Sequence, residues 1–247
     1  MITTGYATPL QTGRGLLFRA RARAFVILDN NTNKRIVYVS VDLGMGFQMV
    51  KDGVMTLLQK QFGTLYTYDN VIISGTHTHA TPGGIGGTTL VDITTLGFIK
   101  PNYDAAVNGI YEAIVIAHNR VTPASIKYNY GQIAEVSNIN RSPSAYLLNP
   151  DKDAYAANTD TEMTVLRIES LNGTELGMIS FFPVHGTSLN NTNMFVAGDN
   201  KGYAALLFEK YKNPGSLPGF GPFVAAFGQA NEGDVSPNTK GPSCPDG

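Results

Sequence analysis

The chain of 247 residues carries a formal net charge of −1, is 43% hydrophobic and holds one cysteine. This composition gives no case for disorder, no basic excess for nucleic acid or an anionic membrane surface, and no partner for an internal disulfide. No stretch approaches the roughly 20 apolar residues that a membrane-spanning helix needs.

The first half of the chain alternates strand-like and helix-like segments. Two runs rich in β-branched residues, at 21–30 and 34–44, flank the turn sequence "NNTN" and are predicted to form a hairpin. Apolar residues near helical spacing predict a helix over 49–63, and a buried-type strand follows at 70–77. The order strand, helix, strand predicts a βαβ unit with a right-handed crossover.

The second half continues the alternation of strands and helices. Helices are predicted at 103–120 and 200–212, and strands at 125–136, 162–170, 175–186 and 222–231. The resulting fold class is α/β, with a mixed β-sheet flanked by helices. Polar, glycine-containing loops follow Ser74, Val184 and Gln229. Because sites in open α/β sheets form outside the carboxyl ends of strands, we expect the functional residues at these three loops.

Two of the four histidines, His77 and His79, stand one residue apart after the strand at 70–77. If the strand continues through them, its period of two places both imidazoles on one face. Neutral imidazole is a common zinc ligand, so this pair is a candidate start for a metal site. The competing interpretation is one core histidine and one surface histidine.

The other two histidines differ in their setting. His185 follows the apolar strand "MISFFPV", so the fold could bring it to the same edge as His77, although a lone histidine there is also typical of a structural residue. His118 lies near the end of a predicted helix, where a favourable interaction with the helix dipole explains it. We therefore leave His118 out of the site.

Three further residues have plain structural explanations when taken alone. Ser236, in "GDVSPN", fits a turn and has no G-x-S-x-G elbow around it. Arg141, in "NINRSPSAY", fits a solvated loop. Cys244 is interpreted as a free thiol.

Taken together, the motifs identify a known family. The chain resembles the neutral ceramidases, zinc-dependent amidohydrolases that split ceramide into sphingosine and a fatty acid. The matching segments, in family order, are "GYA", "VSVDLGM", "DNVIISGTHTHATPGG", "NINRSPSAYLLNP", "FFPVHGTSLNNTN", "GDNKGYAA" and "FVAAFGQANEGDVSPN".

The resemblance implies a role for each candidate residue. His77 and His185 correspond to zinc ligands of the family, and His79 and Arg141 to residues that line the substrate pocket. Ser236 corresponds to the serine assigned as nucleophile or essential hydroxyl. The implied cofactor is Zn²⁺ and the implied substrate is ceramide. Attack on the amide by a metal-activated water and attack by the Ser236 hydroxyl both stay open.

The sequence departs from the family pattern in two ways. Ala80 and Thr81 replace the usual Ser-Gly before Pro82, which leaves every ligand in place. The family's remaining zinc ligands, a glutamate and a tyrosine, lie downstream of the last matching segment. Residues 1–247 are therefore expected to be the N-terminal catalytic domain, incomplete at both ends, which alone binds zinc poorly and hydrolyses no ceramide.

The resemblance also implies where the protein acts. Family members are secreted or face the outside of the plasma membrane, although the start of this chain shows no signal peptide. A lipid substrate is compatible with contact at a membrane surface, and the segment 90–99 is a candidate lining for an apolar entrance. Two alternatives stay open: another zinc-dependent amidase or peptidase, and an inactive truncated fragment that retains the motifs.

Overall fold

A computed structural model describes residues 3–8, 11–133 and 137–240 of the chain. Its strands are β1 (Thr3–Thr4), β2 (Gly15–Leu16), β3 (Ala22–Leu28), β4 (Arg35–Val41), β5 (Val71–Gly75), β6 (Thr81–Pro82), β7 (Ala124–Gln132), β8 (Ile139–Asn140), β9 (Glu162–Ser170), β10 (Glu175–Phe181), β11 (Phe195–Val196), β12 (Val224–Gly228) and β13 (Val235–Ser236). Its α-helices are α1 (Gln48–Phe62), α2 (Thr89–Asp92), α3 (Lys100–Asn119), α4 (Pro143–Tyr146) and α5 (Asp199–Lys212). Short 3₁₀ turns lie at Gly63–Leu65, Ile93–Thr95 and Lys152–Ala154.

One sheet has the order β3–β4–β5. β3 and β4 form the predicted antiparallel hairpin, and Asp29 closes its turn by accepting hydrogen bonds from the Asn31 N–H and the Thr32 hydroxyl. β4 and β5 are parallel and are joined through α1, which is the predicted βαβ unit. α1 follows the predicted apolar spacing, with Val50, Val54 and Leu58 buried.

A second sheet has the order β12–β10–β9–β7. β10 is parallel to β12 and antiparallel to β9, and β9 is antiparallel to β7. The predicted fold class is thus confirmed, although the longer strands divide between two mixed sheets instead of forming one, and the short strands form the separate pairs β1–β6, β2–β11 and β8–β13. Periodicity identifies a strand without specifying its neighbour, so the division was not readable from the sequence.

The two sheets and the helices form successive layers. One core cluster lies where α1 and α3 cover the first sheet, and it includes Val39, Leu58 and Ile114. A second cluster, with Phe25 and Ala226 at its centre, lies between the two sheets. α5 packs on β12, where the ring of Phe208 contacts those of Phe223 and Phe227.

A buried ion network ties α5 to the first sheet. The guanidinium of Arg23, 4% exposed, donates to Glu209 of α5 at 2.9 Å and to Asp42 at 3.4 Å. Glu209 also accepts a hydrogen bond from the Ala225 N–H of β12 at 3.1 Å. Since a buried charge without a partner is costly, this network fixes the position of α5 relative to β3 and β12.

The carboxyl ends of β5, β10 and β12 point to one edge of the sheets, as the predicted loops require. Within the described part of the chain, no helix combines the length and hydropathy that a bilayer crossing requires. Cys244 lies outside the described residues.

Candidate metal centre

Two histidine-bearing loops run side by side at this edge. Thr78 and Gly186 form a parallel β-bridge, and the His79 N–H donates to the Gly186 carbonyl at 3.1 Å. The loop after β5 is therefore held against the loop that carries His185.

The backbone at His77 is left-handed, with φ of 62°. β5 ends at Gly75, so the strand does not continue through the two histidines as the periodicity argument supposed. The His77 N–H donates to the Leu43 carbonyl at 3.0 Å, which helps to hold this conformation. A left-handed conformation is unfavourable for a residue with a side chain and is maintained by surrounding structure, often at functional sites.

The ring nitrogens of three histidines converge on one point. Nε2 of His77 lies 3.1 Å from Nε2 of His185 and 3.2 Å from Nε2 of His79. One ring nitrogen from each of the three residues lies within 4.8 Å of the others. His79 and His185 are each 8% exposed, so the cluster is largely shielded from solvent.

Backbone carbonyls fix the orientation of two of these rings. Nδ1–H of His77 donates to the Gly44 carbonyl at 2.7 Å, and Nδ1–H of His185 donates to the Glu232 carbonyl at 3.0 Å. Because a carbonyl only accepts, Nδ1 carries the proton in both rings. In the neutral rings both Nε2 atoms therefore present lone pairs to the cluster, which is the usual arrangement of metal-bound histidines.

Local electrostatics favour the neutral form of two of the imidazoles. Burial, followed by the charges of His77, His185 and Arg141, lowers the pKa of His79 to about 3. Burial and the charges of His77 and Arg141 also lower the pKa of His185, against an opposing hydrogen bond to the Glu232 carbonyl. Neutral imidazole is the form that binds metals, and a single cation can accept several converging lone pairs at once. The donor set thus fits a metal ion.

A carboxylate lies behind the first of these rings. Oε1 of Glu232 is 4.0 Å from Nδ1 of His77, the ring nitrogen that does not take part in the convergence. Its other oxygen is buried without a hydrogen-bond partner among the described residues. Sequence reasoning assigned Glu232 no role, although its position in "GQANEGDVSPN", directly after a strand end, was the available signal.

Gln229 joins the two histidine loops. Its amide nitrogen donates to the carbonyls of Thr76 and Val184, at 2.9 and 2.6 Å, and its amide oxygen accepts from the Val184 N–H at 3.1 Å. In the sequence Gln229 is recognisable only as a strand end, and nothing there predicts these hydrogen bonds. An amide at that point supplies both the donor and the acceptor that the paired loops need.

The start of α5 holds the loop that follows His185. Asp199 accepts hydrogen bonds from the N–H groups of Ser188 and Leu189, each at 3.0 Å. The side-chain amide of Asn200 donates to the His185 carbonyl at 2.8 Å. The buried ion network that positions α5 therefore also helps to position His185 and the loop that follows it.

Arg141 and Ser236 come together through a separate strand pair. β8 and β13 are antiparallel, and the Arg141 N–H donates to the Asp234 carbonyl at 2.7 Å. The charge of Arg141 lowers the pKa of both His79 and His185, so its guanidinium lies close enough to act on the cluster electrostatically. Ser236 Oγ accepts from the Asn238 N–H at 3.1 Å, and in the described residues no hydrogen bond joins it to an imidazole.

His118 lies apart from the cluster. Its Nδ1 forms a 2.7 Å hydrogen bond with the Tyr66 hydroxyl, and its ring packs against Phe62 at a centroid distance of 4.5 Å. This position agrees with its omission from the predicted site.

Comparison with known proteins gives a consistent result. The family description "Neutral/alkaline non-lysosomal ceramidase, N-terminal" matches residues 1–247. The chain is 56% identical over 246 residues to neutral ceramidase B of Dictyostelium discoideum, covering 98% of this chain and 34% of that protein. It is 46% identical over 242 residues to the neutral ceramidase of Drosophila melanogaster, covering 97% of this chain and 34% of that protein.

Solved structures show the same likeness. The crystal structure of neutral ceramidase from Pseudomonas aeruginosa matches with a TM-score of 0.90 and 38% identity, over 99% of this chain and 38% of that one. A structure described as ceramidase complexed with C2 matches with a TM-score of 0.90, over 97% of this chain and 36% of that one. The chain spans about a third of the length of the relatives it matches. It belongs to the neutral/alkaline non-lysosomal ceramidase family and corresponds to the family's N-terminal region.

Proposed function

We propose that this chain takes part in the zinc-dependent hydrolysis of the amide bond of ceramide, which releases sphingosine and a fatty acid. The observation that supports the proposal most is the convergence of three imidazole nitrogens, two of them anchored by carbonyls, in a chain of the ceramidase family. The proposal joins that geometry to the chemistry of the family.

His77 and His185 would hold the metal through Nε2. Two nitrogens bound to a tetrahedral zinc at about 2.0–2.1 Å stand roughly 3.3 Å apart, which follows from the geometry of such sites. The two Nε2 atoms are 3.1 Å apart, close to that spacing. Bound Zn²⁺ would supply Lewis-acid activation of the amide carbonyl and of water.

His79 is suited to contact the substrate or to move a proton. With its pKa lowered to about 3, its ring is neutral at pH 7 and offers one N–H and one lone pair. A neutral ring can donate a hydrogen bond to a substrate oxygen, or accept a proton and pass it to the leaving amine. This assignment follows the family role and leaves His77 and His185 as the metal ligands.

Arg141 and Ser236 would complete the site from the β8–β13 side. A guanidinium close to the cluster can stabilise the negative charge that develops on the amide oxygen, or orient the headgroup hydroxyls. The Ser236 hydroxyl, on the strand that pairs with β8, is either the nucleophile or a donor to the substrate. We keep both roles for Ser236.

Ceramide would approach from a lipid surface along an apolar edge. The segment 90–99 forms α2 and the following turn, and Leu90, Ile93, Leu96 and Phe98 are exposed on it. This segment is linked to the histidine loop because the Ile99 N–H donates to the Gly84 carbonyl at 2.8 Å. Exposed apolar side chains of this kind are typical of lipid or protein contact surfaces, and we propose contact with a membrane here.

A side-by-side assay tests the function. The protein at the full length of its family relatives, stripped of metal and then supplied with Zn²⁺, is expected to hydrolyse a short-chain ceramide and to leave a peptide amide of similar size intact. Hydrolysis of the peptide at a comparable rate would favour another zinc-dependent amidase. Zinc binding without hydrolysis of either substrate would contradict the proposed catalysis.

A further inference from the structure

Residues 3–8 and Gln11 lie beside the residues that follow β5 and carry His79. β1 pairs with β6 in antiparallel register, so Thr3 and Thr4 lie beside Pro82 and Thr81. The side-chain amide of Gln11 donates to the His79 carbonyl at 2.9 Å. The backbone at His79 and at the residues just after it is thus bound by residues near the start of the chain.

Gly5 lies directly against the His79 side chain. Its φ is +136°, and a Cβ built on it would stand 2.5 Å from both Cβ and Cγ of His79. Only glycine reaches such a conformation easily and permits so close an approach. The contact leaves the imidazole no room to move toward this segment.

Tyr6 bridges His79 and the loop after His185. Its ring meets the His79 imidazole edge-to-face, with centroids 4.7 Å apart and an interplanar angle of 74°. Its hydroxyl donates to the Leu189 carbonyl at 2.5 Å. Leu189 belongs to the loop that Asp199 holds through backbone N–H groups, so the tyrosine rests on a fixed support.

The imidazole of His79 has few other restraints in the described residues. Its Nδ1 is buried and lacks a hydrogen-bond partner there, whereas carbonyls hold Nδ1 of His77 and His185. An unanchored ring needs packing to keep one rotamer, and an edge-to-face aromatic contact provides it. Burial, with the charge of Asp199 second, raises the pKa of Tyr6 to about 12, so the hydroxyl stays a donor.

We infer that Tyr6 is a positioning residue that, with Gly5, holds the His79 imidazole toward the cluster in place of the carbonyl anchor that the other two histidines have. The inference rests on the proposed function, because His79 is the group that it positions. Loss of the tyrosine ring would free the imidazole to rotate out of the site. Loss of the hydroxyl alone would leave the ring contact in place.

A double-mutant cycle in the protein at the full length of its relatives tests the inference. Tyr6→Leu is expected to lower kcat/KM on a short-chain ceramide about tenfold, because a catalytic group held less firmly in its productive position loses rate. In a His79→Ala background the same change is expected to cost less than twofold, because a positioning residue acts only through its target. A full tenfold cost in that background would overturn the inference, as would an unchanged kcat/KM for Tyr6→Leu.

Matched variants separate positioning from general destabilisation. Tyr6→Phe keeps the ring and is expected to recover activity to within about threefold of the parent, whereas equal impairment would contradict the role of the ring. Tyr128→Leu, at an exposed strand tyrosine, serves as the control for loss of a ring. Gly5→Ala is expected to impair activity like Tyr6→Leu, and Gly131→Ala, with no atom within 4 Å of the added Cβ, to leave it unchanged.

Failure of the proposed function gives a different result. A full-length parent protein that binds zinc without hydrolysing ceramide would contradict the function. The position of the His79 ring is then measured directly from its imidazole NMR signals, which Tyr6→Leu is expected to shift or broaden and Tyr6→Phe to leave close to those of the parent. Unchanged His79 signals in Tyr6→Leu would contradict the inference.

Discussion

The Nε2 atoms of His77 and His185 lie 3.1 Å apart although 108 residues separate them in the sequence. In each ring, a hydrogen bond from Nδ1–H to a backbone carbonyl fixes the orientation. The short distance between the Nε2 atoms therefore depends on two independent hydrogen bonds. Facing lone pairs at this distance favour a cation between them. The metal-site hypothesis therefore depends on both anchors and on the loops that carry them.

The first prediction concerns the metal ligands. His185→Ala is expected to lower zinc affinity at least about 100-fold, because loss of even an outer partner of a metal ligand commonly costs 10–100-fold. Zinc affinity is measured by competition with a chromogenic chelator, and ceramide hydrolysis is expected to fall with it. His118→Ala provides the control, since its ring bonds to Tyr66 away from the cluster. Equal loss of affinity in both variants would show that the metal lies elsewhere.

The sequence predicted the participants of this cluster better than its geometry. Residue type and family resemblance named His77, His79 and His185, and the loops after three strands gave their location. The prediction that β5 continues through His77 and His79 was wrong. β5 ends at Gly75, and the backbone at His77 is left-handed. Long-range hydrogen bonds to Leu43 and Gly186, which no local pattern encodes, fix this turn and align the two loops.

The second prediction concerns the contact between the histidine loops. Gly186→Ala places a Cβ 2.0 Å from the His77 carbonyl oxygen, so the β-bridge beside it must open. We expect the unfolding free energy to fall by about 3 kcal/mol, the upper range for overpacking, and zinc affinity to fall about tenfold. Chemical denaturation and chelator competition measure the two effects. If both the unfolding free energy and the zinc affinity are unchanged, the close approach of Gly186 to the His77 carbonyl does not occur in solution. Gly131→Ala is the control for replacing glycine by alanine where the added Cβ meets no other atom.

The third prediction concerns Gln229, which sequence reasoning passed over. Gln229→Met keeps the length of the side chain but removes the three hydrogen bonds that join the loops at Thr76 and Val184. At about 1 kcal/mol for each bond, the unfolding free energy should fall by roughly 3 kcal/mol. Gln132→Met, on an exposed strand, is the matched control. If the unfolding free energy falls no further in Gln229→Met than in the control, the hydrogen bonds of Gln229 do not stabilise the fold.

Side chains that bond to the backbone are the part of the site that a single sequence conceals. Gln229 and Asn200 act on carbonyls and N–H groups, which every residue carries, so their partners leave no trace in the residue pattern. The fold class, by contrast, follows from the apolar periodicity of α1 and the β-branched runs of β3 and β4. Strand pairing was predicted only in part. The sequence correctly predicted that β4 and β5 pair and are joined through α1. The division of the longer strands between two sheets depends on packing around Phe25, which the residue pattern does not specify.

The last prediction concerns the pH dependence of stability and rests on Lys201. The side chain is 6% exposed, its ammonium donates to the Phe182 carbonyl at 2.5 Å, and burial lowers its pKa from 10.5 to about 8. A depressed pKa in the folded state means that the unfolded chain binds this proton more tightly. Between about pH 8 and 10.5 the unfolded state therefore holds more protons, and stability contributed by this group rises with pH. Below about pH 8 both states are protonated, and the folded state bears the full cost of the buried charge.

Comparison with Lys201→Met isolates this contribution. The difference of 10.5 − 8 = 2.5 pKa units corresponds to an upper limit of about 3 kcal/mol. The unfolding free energy of the parent, relative to that of Lys201→Met, should therefore increase by up to this amount from pH 8 to 10.5. Denaturant titrations across this range measure it, with exposed Lys60→Met as the control for removal of a surface charge. A flat difference between parent and Lys201→Met would show that the ammonium is solvated in the folded chain, because only a desolvated amine gains stability as its proton is lost.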